Sequence, residues 1–213
     1  MKNLVLRQNA SPVYDFLSFI HHSPESAFPD GGKKVLDCGA GGMLPPLVLF
    51  YQSGFECTGI DVSGDSVNKA RSFCLENNLD INFSEADMRF IPFADDEFDF
   101  VYEHYSMCHL KKADTRKAVS EMMRVVRPGG LVFLGVMSED THPLEGREIS
   151  PGEWMQEEGG RRVIHSVFSD DEADNLAAGW EVLKKEKKVR TLDNSSEYAH
   201  LYYILKKKKS GES

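Results

Sequence analysis

Apolar and polar positions along the chain follow two spacings that take turns. Short apolar runs of four to seven residues predict buried strands at 34–38, 55–60, 81–84, 98–102 and 131–137. Between them the apolar positions fall three and four apart, the spacing of one helical face. Val13, Phe16, Leu17 and Ile20 mark such a face in an N-terminal helix, Ser11 to His21. A helix from Leu44 carries Pro45 and Pro46 in its first turn, where the missing N–H costs nothing, and Gly54 closes it. Val67, Ala70 and Cys74 mark the next helix, with Ser63 as N-cap and Asn77-Asn78 as the stop. Val119, Met122, Met123 and Val126 mark another, ended by Arg127-Pro128-Gly129-Gly130. Ser169 to Glu172 reads as a capping box for a last helix that ends at Gly179.

Two more strands, near 180–189 and 200–206, follow with no helix between them, so they are expected to be antiparallel. Strands that alternate with helices predict βαβ units on a parallel sheet. The expectation is one α/β domain over 1–213: a doubly wound, mostly parallel, seven-stranded sheet with an antiparallel closing strand. Residues 1–30 supply a capping helix and loop. Residues 138–167 show neither spacing and are expected to form an irregular insertion or lid.

Composition narrows the class. The 213 residues are 41% apolar and 28% charged, as in ordinary globular proteins. A formal net charge of −9 argues against tracking nucleic-acid phosphates. The Lys206–Lys209 run is expected to be a solvated tail. No apolar run has the length of a membrane span, and the N-terminus lacks a signal-peptide core. Cys38, Cys57, Cys74 and Cys108 lie far apart with no C-x-x-C pair, which predicts free thiols and a cytoplasmic location. His142 and His165 have no neighbours at zinc-like spacing, so no metal site is expected.

The chemistry concentrates after three successive strands. Val35 to Gly42 reads VLDCGAGG, a glycine turn between a strand and a helix, where the backbone can approach a ligand. Asp61 ends the second strand, 20 residues after Gly41. Doubly wound folds place a carboxylate at about that distance against ribose hydroxyls. Asp87-Met88 follows the third strand: an acid to accept from an adenine amino group and a thioether to pack on its ring.

Together these motifs resemble the class I methyltransferases that use S-adenosylmethionine, a Rossmann-like fold, and within them the methyltransferase-domain type 11 group. DCGAG is similar to the family's glycine loop, GIDVS to its acid-ended second strand, and EADMRFIPFADDEFDFVYEHYSMCHL to its adenine acid and fourth strand. EMMRVVRPGGLVFL and FSDDEADNLAAGWEV resemble its later helices and strands, so the likeness covers residues 30–206. The resemblance implies that Gly39, Ala40 and Gly41 line the methionine part of the cofactor and that Asp37 orients the loop. It implies Asp61 on the ribose, Val62, Asp87 and Met88 around the adenine, and Glu103 beside the cofactor. The sequence departs from the pattern at Met43, where the family often has glycine, while Gly42 is present instead.

The implied reaction is methyl transfer by in-line displacement, which asks mainly for alignment of acceptor and methyl group. A base matters only where the acceptor must lose a proton. His104 and His109 are the candidates for that role, with Tyr105 to orient the acceptor. Tyr14, His21 and His22 are candidate substrate contacts or parts of the capping helix, and Trp154 and Met155 candidate lid residues. A short insertion and acidic surface favour a small-molecule acceptor. Two other readings stay open: a non-catalytic binder of the cofactor, and an NAD-type oxidoreductase, whose last fingerprint glycine is replaced by Leu44.

Overall fold

The computed structural model describes residues 12–26, 31–193 and 196–209. Residues 1–11 and 27–30, within the expected N-terminal cap, lie outside the described part. The elements in order are α1 (Pro12–His22), β1 (Lys34–Cys38), α2 (Leu47–Gln52), β2 (Glu56–Asp61), α3 (Gly64–Glu76), β3 (Asn82–Glu85), β4 (Phe98–Tyr102), α4 (Lys112–Val125) and β5 (Val126–Ser138). They continue with β6 (Arg147–Ser150), β7 (Glu153–Glu158), β8 (Arg161–Phe168), α5 (Asp170–Leu176), β9 (Glu181–Asp193) and β10 (Ser196–Lys206).

Strands β3, β2, β1, β4 and β5 lie side by side and parallel, and β10 adds antiparallel to β5 with β9 antiparallel beyond it. These are the seven expected strands. Every parallel strand ends at one edge, and the strand order reverses beside β1, which opens a crevice between β1 and β4 at that edge.

Helices cover both faces of the sheet, as the near-continuous apolar strands require. On one face α1 and α2 pack on Val35, Phe100, Tyr102, Phe133 and Tyr202. Phe16 of α1 is fully buried, stacked on Phe133 with ring centroids 5.5 Å apart. Burying one such ring contributes on the order of 2–3 kcal/mol. On the other face Val119, Met122 and Val125 of α4 pack with Leu176 of α5 and with Val101, Leu134 and Tyr203.

The local signals hold where local chemistry sets them. Ser63 caps α3 by accepting from the Ser66 N–H at 3.3 Å, and Asn78 leaves that helix with φ 54°. Ser169 and Glu172 form the capping box. Pro45 and Pro46 instead precede α2, which starts at Leu47 with Pro46 at its N-cap. The Arg127–Gly130 turn belongs to β5, which begins directly at the end of α4.

Two expectations are corrected. Residues 138–167 are not irregular: β6, β7 and β8 form an antiparallel excursion whose last two residues pair with Met137 and Ser138 of β5, extending the sheet to ten strands. The strands escape a pattern reading because both faces of β6 and β7 meet solvent, so no apolar alternation marks them. Backbone pairing and the Gly159-Gly160 turn, both residues at positive φ, hold them instead. The lysine run is not a free tail either. Lys206 pairs with Glu25 at 2.5 Å, and Lys207 with Asp96 at 2.6 Å.

Candidate functional site

A cleft of about 230 Å³ opens at the C-terminal edge of the sheet. Gly39, Asp61, Val62, Asp87 and Met88 line it, with Ile60, Ala86, Arg89, Ser106, His109 and Leu110. Five residues predicted from separate stretches of sequence therefore meet around one space.

Asp61 is the best-placed polar group. Its Oδ2 accepts from the Gly41 N–H at 2.9 Å and its Oδ1 from the Ser63 N–H at 2.8 Å. These bonds fix the carboxylate and leave each oxygen spare acceptor capacity. Gly41 has no room for a side chain, since a Cβ there would lie 2.5 Å from Asp61 Oδ2 and overlap Ser66 Cβ. Gly39 adopts φ +112°, and its Cβ would lie 2.6 Å from Ser106 Cβ. The tight backbone predicted from the glycine cluster is thus present, pressed against two side chains of the cleft.

Met43 does not obstruct it: the side chain is 75% exposed, and Gly42 takes the positive φ of 120°. Ala40 is buried among Leu47, Phe50 and other residues under the loop. Val62 stands 70% exposed at the rim, an apolar surface without a protein partner of its own size.

Asp87 carries an arrangement the sequence did not suggest. Arg89 closes back on it, Nε donating to Oδ1 at 2.9 Å, and reaches Asp114 at 2.9 Å. The guanidinium holds the Asp87 carboxyl below the usual range.

Asp37 and Glu103 lie beneath the cleft rather than in its lining. Burial raises the Asp37 carboxyl to about 8, against a lowering by the Tyr102 hydroxyl beside it. Glu103 is fully buried. Its Oε2 accepts from Ser106 N and Met107 N, both at 3.1 Å, and its Oε1 from Gly135 N at 2.8 Å. Both Glu103 oxygens face backbone N–H groups, and the residue ties the Ser106 loop to β5 from beside the expected cofactor position.

These two acids set a pH dependence. Burial raises Glu103 to about 7, so the folded chain holds protons at both sites that the unfolded chain has released. Their contribution to stability is complete below the ordinary carboxylate range and is lost as pH rises towards 7–8. Depressed histidines act oppositely, and their effect fades as pH rises through 6.5 to about 7.5, where unfolded imidazole gives up its proton. From pH 6.5 to 8 the acids outweigh them, and a net loss of about 1 kcal/mol is expected. Thermal melts across that window should fall for the native chain and stay flatter for Asp37→Asn. Parallel profiles would reject the assignment.

The histidines separate. His109 lines the cleft and is exposed there, with Nδ1 3.4 Å from the Ile164 carbonyl and its ring against His165. His104 lies outside the cleft lining, beside Tyr105. In α1, the His22 Nδ1 sits 2.8 Å from the Ser18 carbonyl and the His21 ring packs on Phe55, so neither reaches the cleft. Tyr14 is 56% exposed on the same helix. Trp154 and Met155 sit on β7, paired with His165 and Ile164. Ser106, Arg89 and Leu110 were missed. A serine four residues past the strand carries no pattern of its own, whereas the Asp87-x-Arg89 spacing was a usable signal. Among the described residues no cluster of three metal-ligating side chains occurs, and no helix is long and apolar enough to cross a membrane.

Comparison with known proteins agrees with this geometry. The methyltransferase-domain family matches residues 35–130, which contain the glycine loop, Asp61, Asp87 and β4. Methyltransferase GfsG of Streptomyces halstedii is 37% identical over 101 residues, 46% of this chain and 36% of that protein. The chain spans less than half the length of that relative. A structure of a SAM-dependent methyltransferase from Methanosarcina mazei superposes with TM-score 0.73 at 19% identity, covering 85% of this chain and 98% of that one. The magnesium protoporphyrin IX methyltransferase of Synechocystis, solved with bound SAM, superposes with TM-score 0.64 at 12% identity, covering 92% and 78%. Residues 35–130, with the glycine loop, Asp61 and Asp87, match the methyltransferase-domain family, and the fold is the one that SAM-dependent methyltransferases share.

Proposed function

We propose that the chain binds S-adenosylmethionine in the cleft and transfers its methyl group to a small-molecule acceptor by in-line displacement. The observation that carries the reading is the Asp61 carboxylate, held by Gly41 and Ser63 with its remaining acceptor capacity in the cleft. A ribose diol offers the two donors that such a carboxylate lacks. Val62 and Met88 supply apolar surface for the adenine, and Asp87 an acceptor for its amino group. The crowding around Gly39 and Gly41 leaves bare backbone where the methionine part approaches.

When bound, the cofactor supplies a methyl carbon already activated by its sulfonium. The task left to the protein is to align an acceptor with that carbon and to exclude water. A small acceptor is favoured by the net charge of −9, which repels nucleic acid. Incubation with methyl-labelled donor and a panel of small hydroxyl, amine, thiol and carboxyl compounds should give label in one compound class. Label found only in added tRNA or protein would overturn the small-molecule reading. Donor bound without any transfer would favour a non-catalytic binder.

A further inference from the structure

Four aromatic side chains gather beside the cleft with no role in holding the cofactor. His104 and Tyr105 come second and third after β4, past Glu103, and Ser106, the next residue, lines the cleft. Because β10 runs antiparallel to β5, its early residues return to the same edge, with His200 opposite Met137 and Tyr202 opposite Gly135. The His104 and Tyr105 rings lie 4.1 Å apart, and Tyr105 meets His200 edge-on at 5.0 Å. His200 stacks on Tyr202 at 5.8 Å, and the two tyrosine hydroxyls are 3.0 Å apart.

The group is built but not closed. Tyr105 is 46% exposed, and both imidazoles are only half-buried. Tyr105 holds φ 59°, a conformation a bulky side chain adopts only under constraint and one found disproportionately at functional sites. His104 Nε2 is buried without a hydrogen-bond partner. No carboxylate sets the state of His104, which answers to burial and to the neighbouring His200 ring.

We propose that His104, Tyr105, His200 and Tyr202 form the acceptor site and that it takes a neutral, planar hydroxyl compound whose proton passes to one of the two imidazoles. The inference rests on the methyl-transfer reading of the cleft and names the substrate class for it. Aromatic walls suit a flat ligand. Burial lowers both histidines to about 4, so both are neutral at pH 7 and each has a nitrogen able to accept a proton.

The proton balance selects oxygen over nitrogen. The acceptor oxygen bonds to the methyl carbon, the carbon–sulfur bond breaks, and the sulfur keeps the electron pair. The O–H bond breaks, its proton passes to an imidazole nitrogen, and the imidazolium returns it to water. A methylated hydroxyl is far more acidic than imidazolium, so that transfer runs downhill. A methylated amine, with a pKa of about 10, would keep its proton in the presence of so weak a base.

Three probes test this on the full chain, with and without saturating demethylated cofactor: 2-naphthol, 2-methoxynaphthalene and 2-naphthylmethylammonium. The readouts are the histidine ring signals in NMR spectra and the dissociation constants. The expected result is that 2-naphthol moves the His104 and His200 signals. It should bind at least tenfold more tightly than the ether, which cannot donate, or the ammonium. His200→Phe should weaken 2-naphthol at least tenfold while cofactor affinity stays within twofold. Equal binding of naphthol and ether, tighter binding of the ammonium, or shifts confined to His109 and His165 would each overturn the proposal. Cofactor affinity is measured separately, so cofactor binding with no naphthol effect removes this inference alone, and naphthol binding without cofactor binding removes the methyl-transfer reading and with it the acceptor role of the site.

Discussion

Gly39→Ala is expected to weaken S-adenosylmethionine binding at least 100-fold and to lower the melting temperature. Two independent costs add. The φ of +112° is one that L side chains rarely adopt, worth about 1–3 kcal/mol. The new methyl group would also overlap Ser106 Oγ and lie 2.6 Å from Ser106 Cβ. Relief requires the loop after β4 to withdraw, and that loop lines the cleft. Gly42→Ala is the comparison, since φ there is +120° but no heavy atom lies within 4 Å of the new group. It should lose stability through the backbone and keep most of its affinity. Adding Ser106→Gly to Gly39→Ala should restore the steric part only. Calorimetric titration of the four proteins checks this, and a Gly39→Ala protein within threefold of native affinity would contradict it.

Glu103→Ala is expected to be the most destabilising single substitution discussed here. It removes the acceptor from the N–H groups of buried Met107 and of part-buried Ser106 and Gly135. Orphaned buried donors cost about 1–3 kcal/mol each, and partial relaxation leaves an expected loss of about 4 kcal/mol. For a chain of this size that corresponds to a fall of about 10 °C in melting temperature. Glu103→Gln keeps one carbonyl oxygen and turns an amide donor towards another donor, so it should lose roughly half as much. Cofactor affinity should fall with both variants, because the Ser106 loop loses its tie to β5. Urea melts at pH 8, where the Glu103 carboxyl is ionised, would show it, and a Glu103→Ala protein as stable as native would refute the tie.

The sheet was legible because each of its parallel strands is a short apolar run closed by a turn signal. Lys34–Cys38 and Phe98–Tyr102 are buried along almost their whole length, and sequence alone marks such runs. Caps were legible for the same reason: Ser63 and Ser169 act within three residues of themselves. The excursion of β6 to β8 was not, since β6 and β7 are held by cross-strand backbone pairs and by turns and bury no face, and β8 is buried only at its last three residues.

The candidate site divides along the same line. Asp61, Val62, Asp87 and Met88 lie at strand ends, and the topology brings strand ends together whatever the side-chain detail. Glu103 also sits at a strand end, yet its rotamer turns it under the loop, and position along the chain carries no information about that choice. Arg89 claims the carboxylate of Asp87 from two residues away. His200 and Tyr202 reach the edge only because β10 folds back along β5, a pairing between distant segments.

The central claim is that the cleft around Asp61 is a nucleotide-type site for S-adenosylmethionine. Titration of the native chain and of Asp61→Ala with S-adenosylmethionine and its demethylated product, followed by calorimetry, addresses it most directly. The account predicts micromolar binding of both ligands to the native chain and a loss of at least 100-fold in Asp61→Ala, with both proteins folded. A folded native chain that binds neither ligand, or an Asp61→Ala protein that binds them as tightly as the native one, would contradict it.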